Sequence, residues 1–186
     1  LDSKDEYKLE TGIDYISKNG KMSAVVKEKD FASIKYPFDL LSFKDILYSR
    51  LQKADNKPEV GANSVIEESV IIGKNVKIGN NVSIKGKSFI GDNVTIGDNV
   101  LIRDSLIESD CRLGANFITA NKRIDRASIK VKIKGELVDS GRNSLGVIMG
   151  INVHTGINVS TMPGTLIGND CIIGANTQVK GVIESG

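Results

Sequence analysis

This chain has little of what disulfide-bonded, metal-bound and nucleic-acid-binding proteins rely on. Its 186 residues include two cysteines, one histidine and no tryptophan, and the formal net charge is only +2. Two cysteines are too few for a disulfide framework, and no Cys, His and Asp residues have the spacing of a zinc site. A near-neutral charge lacks the excess of cations that binds nucleic acid. With no bilayer-spanning apolar run and no signal peptide, we expect a cytoplasmic protein without metal, nucleic-acid or membrane partners.

What the chain does have is a six-residue repeat whose first position is aliphatic in fourteen of sixteen units. Position five of the unit is mostly Val, position two is often Gly, and position four is often Asn. Positions five and one are two residues apart, so in a strand they face the same side, inward. Gly and Asn accept positive φ and favour turns, which predicts a short strand followed by a corner. Position one is occupied by Val60, Ile66, Ile72, Ile78, Ile84, Ile90, Ile96, Ile102, Ile107 and Leu113, then by Met149, Thr155, Thr161, Ile167, Ile173 and Val179.

Units such as IGKNVK, IGNNVS and IGDNVT resemble the hexapeptide-repeat family. The resemblance implies a mainly β protein, a left-handed parallel β-helix with three units per triangular coil, and therefore about five coils. We expect residues 58–186 to form this β-helix, with Cys111 and Cys171 as buried thiols at the inward position five.

Residues 119–148 interrupt the repeat and are predicted to be an irregular insertion. Within it, Ile129, Val131 and Ile133 alternate with lysines, which predicts a strand with one basic face, and Gly135 would turn the chain back. Long insertions in repeat proteins are usual places for binding sites.

Residues 1–57 have a different composition, because they hold most of the aromatic side chains. Residues 6–18 have helical spacing, residues 21–27 and 31–35 have the pattern of short strands, and Pro37 opens a second helix. About fifty residues bury too little apolar surface to fold alone. We therefore predict a small α/β segment that packs on another part of the protein.

The order of elements in residues 1–57 resembles the last segment of a sugar-1-phosphate nucleotidylyltransferase. The matching motifs are Asp5-Glu6-Tyr7-Lys8-Leu9 and Tyr36-Pro37-Phe38-Asp39-Leu40-Leu41. The resemblance implies that this segment is the C-terminal remnant of an α/β nucleotidylyltransferase domain, and the chain begins at Leu1 rather than at Met. Nucleotidyl transfer needs a glycine-rich phosphate loop, which these residues lack. We expect that activity, and its Mg²⁺, to belong to a part of the enzyme upstream of this chain.

The interrupted region resembles archaeal-type bifunctional sugar-1-phosphate nucleotidylyltransferases. The resemblance implies an acetyl-CoA-dependent amino-sugar-1-phosphate acetyltransferase whose site lies between the subunits of a homotrimer. It also implies that Asn121 orients the sugar and that Lys130 serves the substrate phosphate or catalysis. A turn residue is the alternative for Asn121. The residues that carry the resemblance are Gly114-Ala115-Asn116, Thr119-Ala120-Asn121, Ser140-Gly141-Arg142, Leu145-Gly146, Gly156-Ile157-Asn158-Val159 and Pro163-Gly164.

Three positions depart from that family: its His and Tyr correspond here to Asp98 and Leu101, and one of its two lysines falls near Ala127 and is lost. N-acetylation needs a base near neutral pH, and an exposed aspartate is a weak one. The first hypothesis is therefore a region that assembles the trimer and keeps a degenerate acyl-CoA or sugar-phosphate site. The second is an active acetyltransferase with His154 as base, although His154 also fits a surface residue. A pure scaffold is the third.

Two further groups of residues bear on ligands and partners. Lys122, Arg123 and Arg142 are candidates for binding a sugar phosphate or the phosphates of CoA, and a solvated loop face is the alternative. Apolar residues at the outward position six predict burial against other subunits, in agreement with a homotrimer. These apolar residues are Phe89, Leu101, Ile118 and Ile172.

Overall fold

The computed structural model describes residues 9–21, 23, 34–43 and 57–186, which fall into two units divided after Ala32. In the first unit, α1 (Leu9–Asn19) confirms the predicted first helix within the described residues. Gly20 closes it by donating its N–H to the carbonyl of Ile16 at 2.9 Å. Most of the two strands predicted between α1 and Pro37 lies outside the described residues, and the boundary predicted after residue 57 stays a prediction.

In the second unit, residues 57–186 form a three-walled parallel β-helix, as the six-residue period predicts. Each wall is a six-stranded parallel sheet whose neighbouring strands come from successive coils. Wall A consists of β1 (Glu59–Val60), β4 (Lys77–Ile78), β7 (Thr95–Ile96), β10 (Arg112–Leu113), β15 (His154–Thr155) and β18 (Ile172–Ile173). Wall B consists of β2 (Val65–Ile66), β5 (Ser83–Lys85), β8 (Leu101–Arg103), β11 (Ile118–Thr119), β16 (Ser160–Thr161) and β19 (Gln178–Val179). Wall C consists of β3 (Ile71–Ile72), β6 (Phe89–Ile90), β9 (Leu106–Ile107), β14 (Ile148–Met149), β17 (Leu166–Ile167) and β20 (Val182–Ile183).

Positions one and five line a single interior, which we call the inner core. Val76, Ile90 and Val94 belong to it, and Ile72 packs against it. Cys111 and Cys171 are buried free thiols in the same interior, as predicted. Burial raises the pKa of the Cys111 thiol to about 11. A neutral thiol is the form that suits a dry interior.

The corners between strands use Asn and Gly for different physical reasons. Asn81 and Asn99 have φ values of 55° and 59°, in the left-handed region. The Asn81 Nδ2 donates to the Asn99 Oδ1 at 3.2 Å, so stacked corners are also joined by side-chain amides. At Gly79 a Cβ would lie 2.8 Å from the backbone carbon of Gly97, so only glycine allows these corners to stack this closely.

The β-helix has six coils, which corrects the prediction of about five. The two strands missed by the period are β11 and β20. Thr119 is buried at position one of β11, although the insertion was predicted to begin at this residue. Ile183 follows Val179 after only four residues, because a shorter corner at Gly181, with φ 82°, joins β19 to β20.

The insertion between β11 and β14 contains the predicted hairpin, β12 (Lys130–Ile133) and β13 (Glu136–Asp139), which pair antiparallel. Lys130 and Lys132 share its exposed face, as predicted. Lys134 does not, because it lies in the turn with φ 47°. The turn forms at the predicted place, since Gly135 follows with φ 89°.

The outward side chains of wall C are apolar and are covered by two other segments of the second unit. One is the inward face of β12; the other is the turn Pro37–Asp39 with the helical residues 40–43. The predicted helix after Pro37 is thus present as far as the described residues extend. We call this contact the outer cluster; it consists of Phe38, Leu41, Leu106, Ile129, Val131 and Leu145.

The segment at residues 34–43 is shaped by Pro37 and Asp39. Proline presets the backbone at the first position of the turn. The Asp39 carboxylate accepts N–H bonds from Lys35 and Tyr36, at 2.9 and 2.8 Å, which would otherwise lack partners at the start of the turn. This local order presents Phe38 and Leu41 to wall C, in line with the prediction that the segment packs on another part. No helix among the described residues has the length and apolar composition needed to cross a membrane.

Candidate functional site

The edge between walls B and C, which we call edge BC, differs from the other two edges at position two of the repeat. Edge AB has glycine there in every coil, and edge CA has it in every coil except the two with Glu108 and Glu184. Edge BC has no glycine at this position, and its side chains recur about every eighteen residues on stacked coils. The residues at this position of edge BC are Glu67, Lys85, Arg103, Ala120, Met162 and Lys180.

The insertion leaves the β-helix at edge BC and folds back over it. The N–H of Leu145 donates to the Asn121 carbonyl at 2.8 Å, and the Leu145 carbonyl accepts from Gly164 at 3.0 Å. A Cβ on Gly164 would lie 2.7 Å from the Ile129 side chain, so glycine permits the close contact of β12 with this edge. Two clefts result, and Lys122 lines both.

The first cleft, which we call the Asp104 cleft, has a volume of about 370 Å³ and is lined almost entirely by polar groups. The Asn121 Nδ2 donates to the Asp104 Oδ2 at 2.6 Å. The other Asp104 oxygen accepts the Lys87 N–H at 3.0 Å, and Asp104 has φ 46°. Asn121 is therefore held in place by a carboxylate rather than free to rotate. The lining residues are Glu67, Lys85, Gly86, Arg103, Asp104, Asn121, Lys122 and Ser144.

The second cleft, which we call the lysine cleft, has a volume of about 430 Å³ and combines a cationic rim with an apolar floor. Its rim cations come from the insertion and from the last coil, where Lys180 follows β19. None of the ion pairs between described residues involves Lys122, Lys130 or Lys180. The lining residues are Lys122, Arg123, Ile124, Asp125, Ile129, Lys130, Met162, Pro163 and Lys180.

Arg123 has a carboxylate partner of its own within the loop. Its Nε donates to the Asp125 Oδ1 at 2.8 Å, and its Nη2 donates to Oδ2. The hydrogen bonds from Arg123 lower the pKa of Asp125 to about 2. The guanidinium is thus partly neutralised, which leaves the lysines as the main source of positive potential in the cleft. Hydrogen bonds from the Gly141 N–H and then from the Ser128 hydroxyl lower the pKa of Asp139, and Lys130, opposite it across the hairpin, contributes last.

Arg142 is directed away from both clefts. Its guanidinium donates to the Ser42 hydroxyl, and its carbonyl accepts the Ile129 N–H at 2.8 Å. Arg142 therefore joins the insertion to residues 34–43, the segment that contributes Phe38 and Leu41 to the outer cluster. Its role in substrate binding stays a prediction. Within the chain, its hydrogen bond to Ser42 connects two structural segments.

His154 lies on wall A, away from the side chains of edge BC within one chain. It stands in register between Arg112 and Ile172 on the outer face and is half-buried. Among the residues that the structure describes, no carboxylate or carbonyl is hydrogen-bonded to its imidazole. A general base is normally oriented by such a partner. A single chain thus does not unite His154 with Asn121, Lys122, Arg123 and Lys130.

Asp98 and Leu101, which occupy the His and Tyr positions of the resembled family, have structural side chains. The Asp98 Oδ1 accepts the Asn80 N–H at 2.7 Å, which closes a corner of edge AB. Asp92 does the same at edge CA, where it accepts the Lys74 N–H at 2.7 Å. Leu101 lies half-buried on wall B. Within the described part of the chain, no cluster of His, Cys, Asp and Glu is grouped as a metal site would require.

Sequence reasoning missed Lys180, Asp104, Arg103 and Lys85 as neighbours of the insertion. A signal was present, because position two loses its glycine in every third unit. Because three units make one coil, a loss of glycine in every third unit falls on one edge of the β-helix. The remaining step, the folding of the insertion over that edge, has no counterpart in the repeat.

The fold and this edge define the class: a hexapeptide-repeat β-helix with a cationic insertion. Residues 52–155, more than half of the chain, match the GMPPB C-terminal domain family, and the chain belongs to that family. Residues 146–181 also match the hexapeptide repeat of succinyl-transferase.

Curated relatives match the chain over part of its length. The bifunctional protein GlmU of Methanocaldococcus jannaschii is 51% identical over 80 residues, which are 43% of this chain and 19% of that protein. The bifunctional sugar-1-phosphate nucleotidylyltransferase/acetyltransferase of Sulfurisphaera tokodaii is 44% identical over 63 residues, 34% of this chain and 16% of that protein. The matched region spans about a fifth of the length of these relatives.

Solved structures share the fold. A mutant of the perosamine N-acetyltransferase from Caulobacter crescentus, in complex with CoA and GDP-perosamine, superposes with a TM-score of 0.55 at 22% identity. The superposition covers 81% of this chain and 61% of that one. The likeness establishes the β-helix architecture of this chain.

Proposed function

We propose that this chain is the β-helix region of a sugar-1-phosphate nucleotidylyltransferase. It assembles the parent enzyme as a homotrimer and keeps, at edge BC, a sugar-phosphate or acyl-CoA site that does not catalyse acetyl transfer. The names of the bifunctional relatives from M. jannaschii and S. tokodaii support the parent activity. The main support for a loss of catalysis comes from Asp98. It occupies the expected histidine position, and its carboxylate accepts a hydrogen bond from the Asn80 N–H.

A phosphate-bearing ligand is supported by the charge of the lysine cleft. Lys122, Lys130 and Lys180 are ammonium groups without ion-pair partners among the described residues, and ammonium groups neutralise phosphate well. The C. crescentus relative contains CoA, which supports acetyl-CoA as a ligand here. Asn121, fixed by Asp104, faces the neighbouring polar cleft and would bind sugar hydroxyls.

Assembly is supported by apolar side chains left exposed around edge AB. Ile118, Ile157 and Ile172 are 44%, 53% and 83% exposed. Phe89, by contrast, is covered by the outer cluster of its own chain, so it does not serve this interface. Exposed aliphatic side chains of this kind are usually buried between subunits.

The loss of catalysis is tested by an acetyl-transfer assay with glucosamine-1-phosphate and acetyl-CoA. We expect ligand-induced thermal stabilisation without turnover. Turnover at the rate of a typical enzyme, about 1 s⁻¹ or more, would refute the degenerate site. An absence of both turnover and stabilisation would favour a pure scaffold.

An active acetyltransferase is the second candidate, and the half-buried position of His154 beside Arg112 favours it. In a trimer, wall A of one subunit could meet edge BC of the next, which would complete a site that one chain lacks. Turnover that is lost in His154→Ala and kept in Arg112→Ala would establish this candidate.

The homotrimer is tested by the mass of the 186-residue chain in solution. Ile172→Asp is expected to shift the mass towards that of the monomer, because a charge cannot be buried unpaired at an interface. Leu137→Asp is the matched control, since Leu137 is 70% exposed on the insertion hairpin. A monomeric wild-type chain would refute the assembly role.

A further inference from the structure

We propose that a groove on wall C binds a linear polyamine, with Glu108 and Glu184 holding its two terminal ammonium groups. The groove has a volume of about 300 Å³ and lies beside edge CA. The proposal goes beyond the proposed function and does not rest on it, because the groove shares no lining residue with the two clefts at edge BC. We call it the wall C groove; its floor is formed by Leu106, Ile148, Leu166 and Val182 and its rim by Glu108 and Glu184.

The rim of the wall C groove is negatively charged. The described residues that line it include two carboxylates and no cation. The Glu108 Oε2 accepts the Ser109 N–H at 3.2 Å, and neither Glu108 nor Glu184 has an ion-pair partner among the described residues. The whole chain carries a formal net charge of +2, so a polycation has no general attraction to it and must be held locally.

The two carboxylates belong to opposite ends of the groove. Glu108 follows β9 and Glu184 follows β20, and the strands between them in wall C are β14 and β17. Neighbouring strands are about 4.8 Å apart, so the backbone positions of the two glutamates are separated by about 14 Å. Gly150 and Gly168 occupy the same position in the two coils between, so no other side chain at this position separates the carboxylates.

This separation selects a long dication over a short one. An extended chain gains about 1.2 Å per bond, so the terminal nitrogens lie about 11 Å apart in spermidine and in octamethylenediamine but only about 6 Å apart in putrescine. Because glutamate side chains are flexible and can bend towards each other, the longer amines reach both carboxylates. Putrescine reaches one carboxylate at a time.

The floor of the groove favours a polyamine over an extended peptide. The N–H and C=O groups of the wall C strands pair within the sheet, as when β14 pairs with β9 on one side and β17 on the other. A peptide main chain on this floor would find no partners for its own N–H and C=O groups, which costs free energy. The methylene groups of a polyamine need no partner, and they would cover the half-buried side chains of Ile148, Leu166 and Val182.

The segment at residues 34–43 contributes to the same groove. Pro37 and Leu40 belong to its lining. Leu40 is 38% exposed, so a ligand in the groove would bury more of its apolar surface. A bound polyamine therefore contacts both wall C and this segment, and it should hold the segment on the β-helix.

The test is isothermal titration calorimetry of the 186-residue chain with putrescine, octamethylenediamine, spermidine and the peptide Ac-Lys-Leu-Leu-Leu-Lys-NH2. Octamethylenediamine has the charge of putrescine and the length of spermidine, so it separates the effect of length from that of charge. We expect octamethylenediamine and spermidine to bind about fivefold or more tightly than putrescine, and the peptide to bind more weakly than spermidine. Affinity should fall as sodium chloride is raised, since ion pairs at an open groove are screened.

Amide hydrogen exchange gives a second measurement on the same complex. Spermidine should raise the protection of residues 34–43, because the ligand contacts Pro37 and Leu40. The strands of wall B, which lie away from the groove, should keep their protection.

Glu108→Gln and Glu184→Gln should each weaken the binding of spermidine and octamethylenediamine about fivefold, because each removes one of two ion pairs. Putrescine, which can use either carboxylate, should lose about twofold or less. The matched control is Glu136→Gln, which removes the same charge from the exposed start of β13 and should change each affinity by less than about twofold. Thermal unfolding of each variant shows that the fold is kept.

Four outcomes would overturn the proposal: no binding of spermidine or octamethylenediamine, equal affinity for octamethylenediamine and putrescine, equal losses in Glu108→Gln and Glu136→Gln, or tighter binding of the peptide than of spermidine. The last outcome would assign the groove to a protein segment instead. None of these outcomes alters the turnover or solution-mass measurements, so failure of this site leaves the proposed function standing.

Discussion

The inner core and the outer cluster are both apolar and buried, but they are built on different rules. The inner core repeats the same two positions of a six-residue unit, and its neighbours lie on successive coils of the same walls. The outer cluster unites Phe38 and Leu41, the outward Leu106, and three residues of the insertion. The first follows from local periodicity. The second requires three distant segments to meet on wall C.

The difference matters for function because the outer cluster supports the site. Val131 packs inward on the cluster, while Lys130, one residue before it on β12, lines the lysine cleft. Ile129 belongs to both. The regular coils supply a rigid edge, and the irregular contact fixes the hairpin that makes this edge a cleft.

The strongest test of the comparison is Phe117→Ala, which opens a cavity in the inner core. Phe117 is fully buried, and large aromatic truncations of this kind cost about 3–5 kcal/mol. We expect that loss in the free energy of unfolding measured with urea. Gln178→Ala is the control, because this exposed side chain of β19 points outward next to the buried Val179 and should cost less than about 1 kcal/mol. Equal losses would mean that Phe117 does not face the interior.

Phe38→Ala tests the outer cluster in the same way and should have a smaller and more local effect. The buried ring packs against wall C from outside, so its loss should release residues 34–43 without opening the coils. We expect about 2–4 kcal/mol less protection of this segment in amide hydrogen exchange, with unchanged protection of β8 and β9. Leu40→Ala, at a neighbour that is 38% exposed and not part of the outer cluster, is the control. Loss of protection throughout the β-helix would show that the two clusters are one cooperative unit.

A pair of threonine substitutions compares two buried hydroxyls within the inner core. The Thr161 hydroxyl has no hydrogen-bond partner among the described residues, whereas the Thr119 hydroxyl accepts the Arg103 N–H at 2.8 Å. Thr161→Val should stabilise the chain by about 1 kcal/mol, and Thr119→Val should destabilise it by about 1–3 kcal/mol. Thermal unfolding of both variants measures the difference. The same sign in both would contradict the assigned hydrogen bonding.

The smallest effect is expected in the insertion on acidification. Hydrogen bonds from Arg123 lower the pKa of Asp125 to about 2 from its ordinary value of 3.8. A lowered pKa means that the pairing stabilises the folded loop above pH 3.8, and that this contribution is lost as the pH falls through about 2. An NMR titration of the Asp125 carboxyl should show this low midpoint. Arg123→Ala should return it towards the ordinary value, and an unchanged midpoint would contradict the pairing.

Several details of the fold were accessible from the sequence because they depend on nearest neighbours. The alternation of inward and outward residues follows from the geometry of a strand, and Asn99 marks a corner because asparagine tolerates positive φ. The hairpin was predicted from the alternation around Val131. The coil count was wrong because Thr119 was assigned to the insertion and because Ile183 follows a corner shorter than the six-residue period.

The candidate site was less accessible. Asn121 and Lys130 were named from a family resemblance and Lys122 from a run of cationic residues, whereas Lys180 was not named at all. Arg142, whose contact with a ligand stays a prediction, contacts Ser42, a partner 100 residues away. Side-chain direction in an irregular insertion depends on what the insertion packs against, and no local rule supplies that.

The amino-acid sequence by itself determined the prism: a six-residue period, strand alternation and left-handed corners are interactions between residues close along the chain. Tertiary structure alone decided which edge became a cleft. Parallel pairing stacks side chains that are eighteen residues apart, and the contact of Ile129 with Gly164 brings the insertion onto that stack. Lys130 and Lys180 line one cleft only because both conditions are met, and neither condition is encoded within a single repeat.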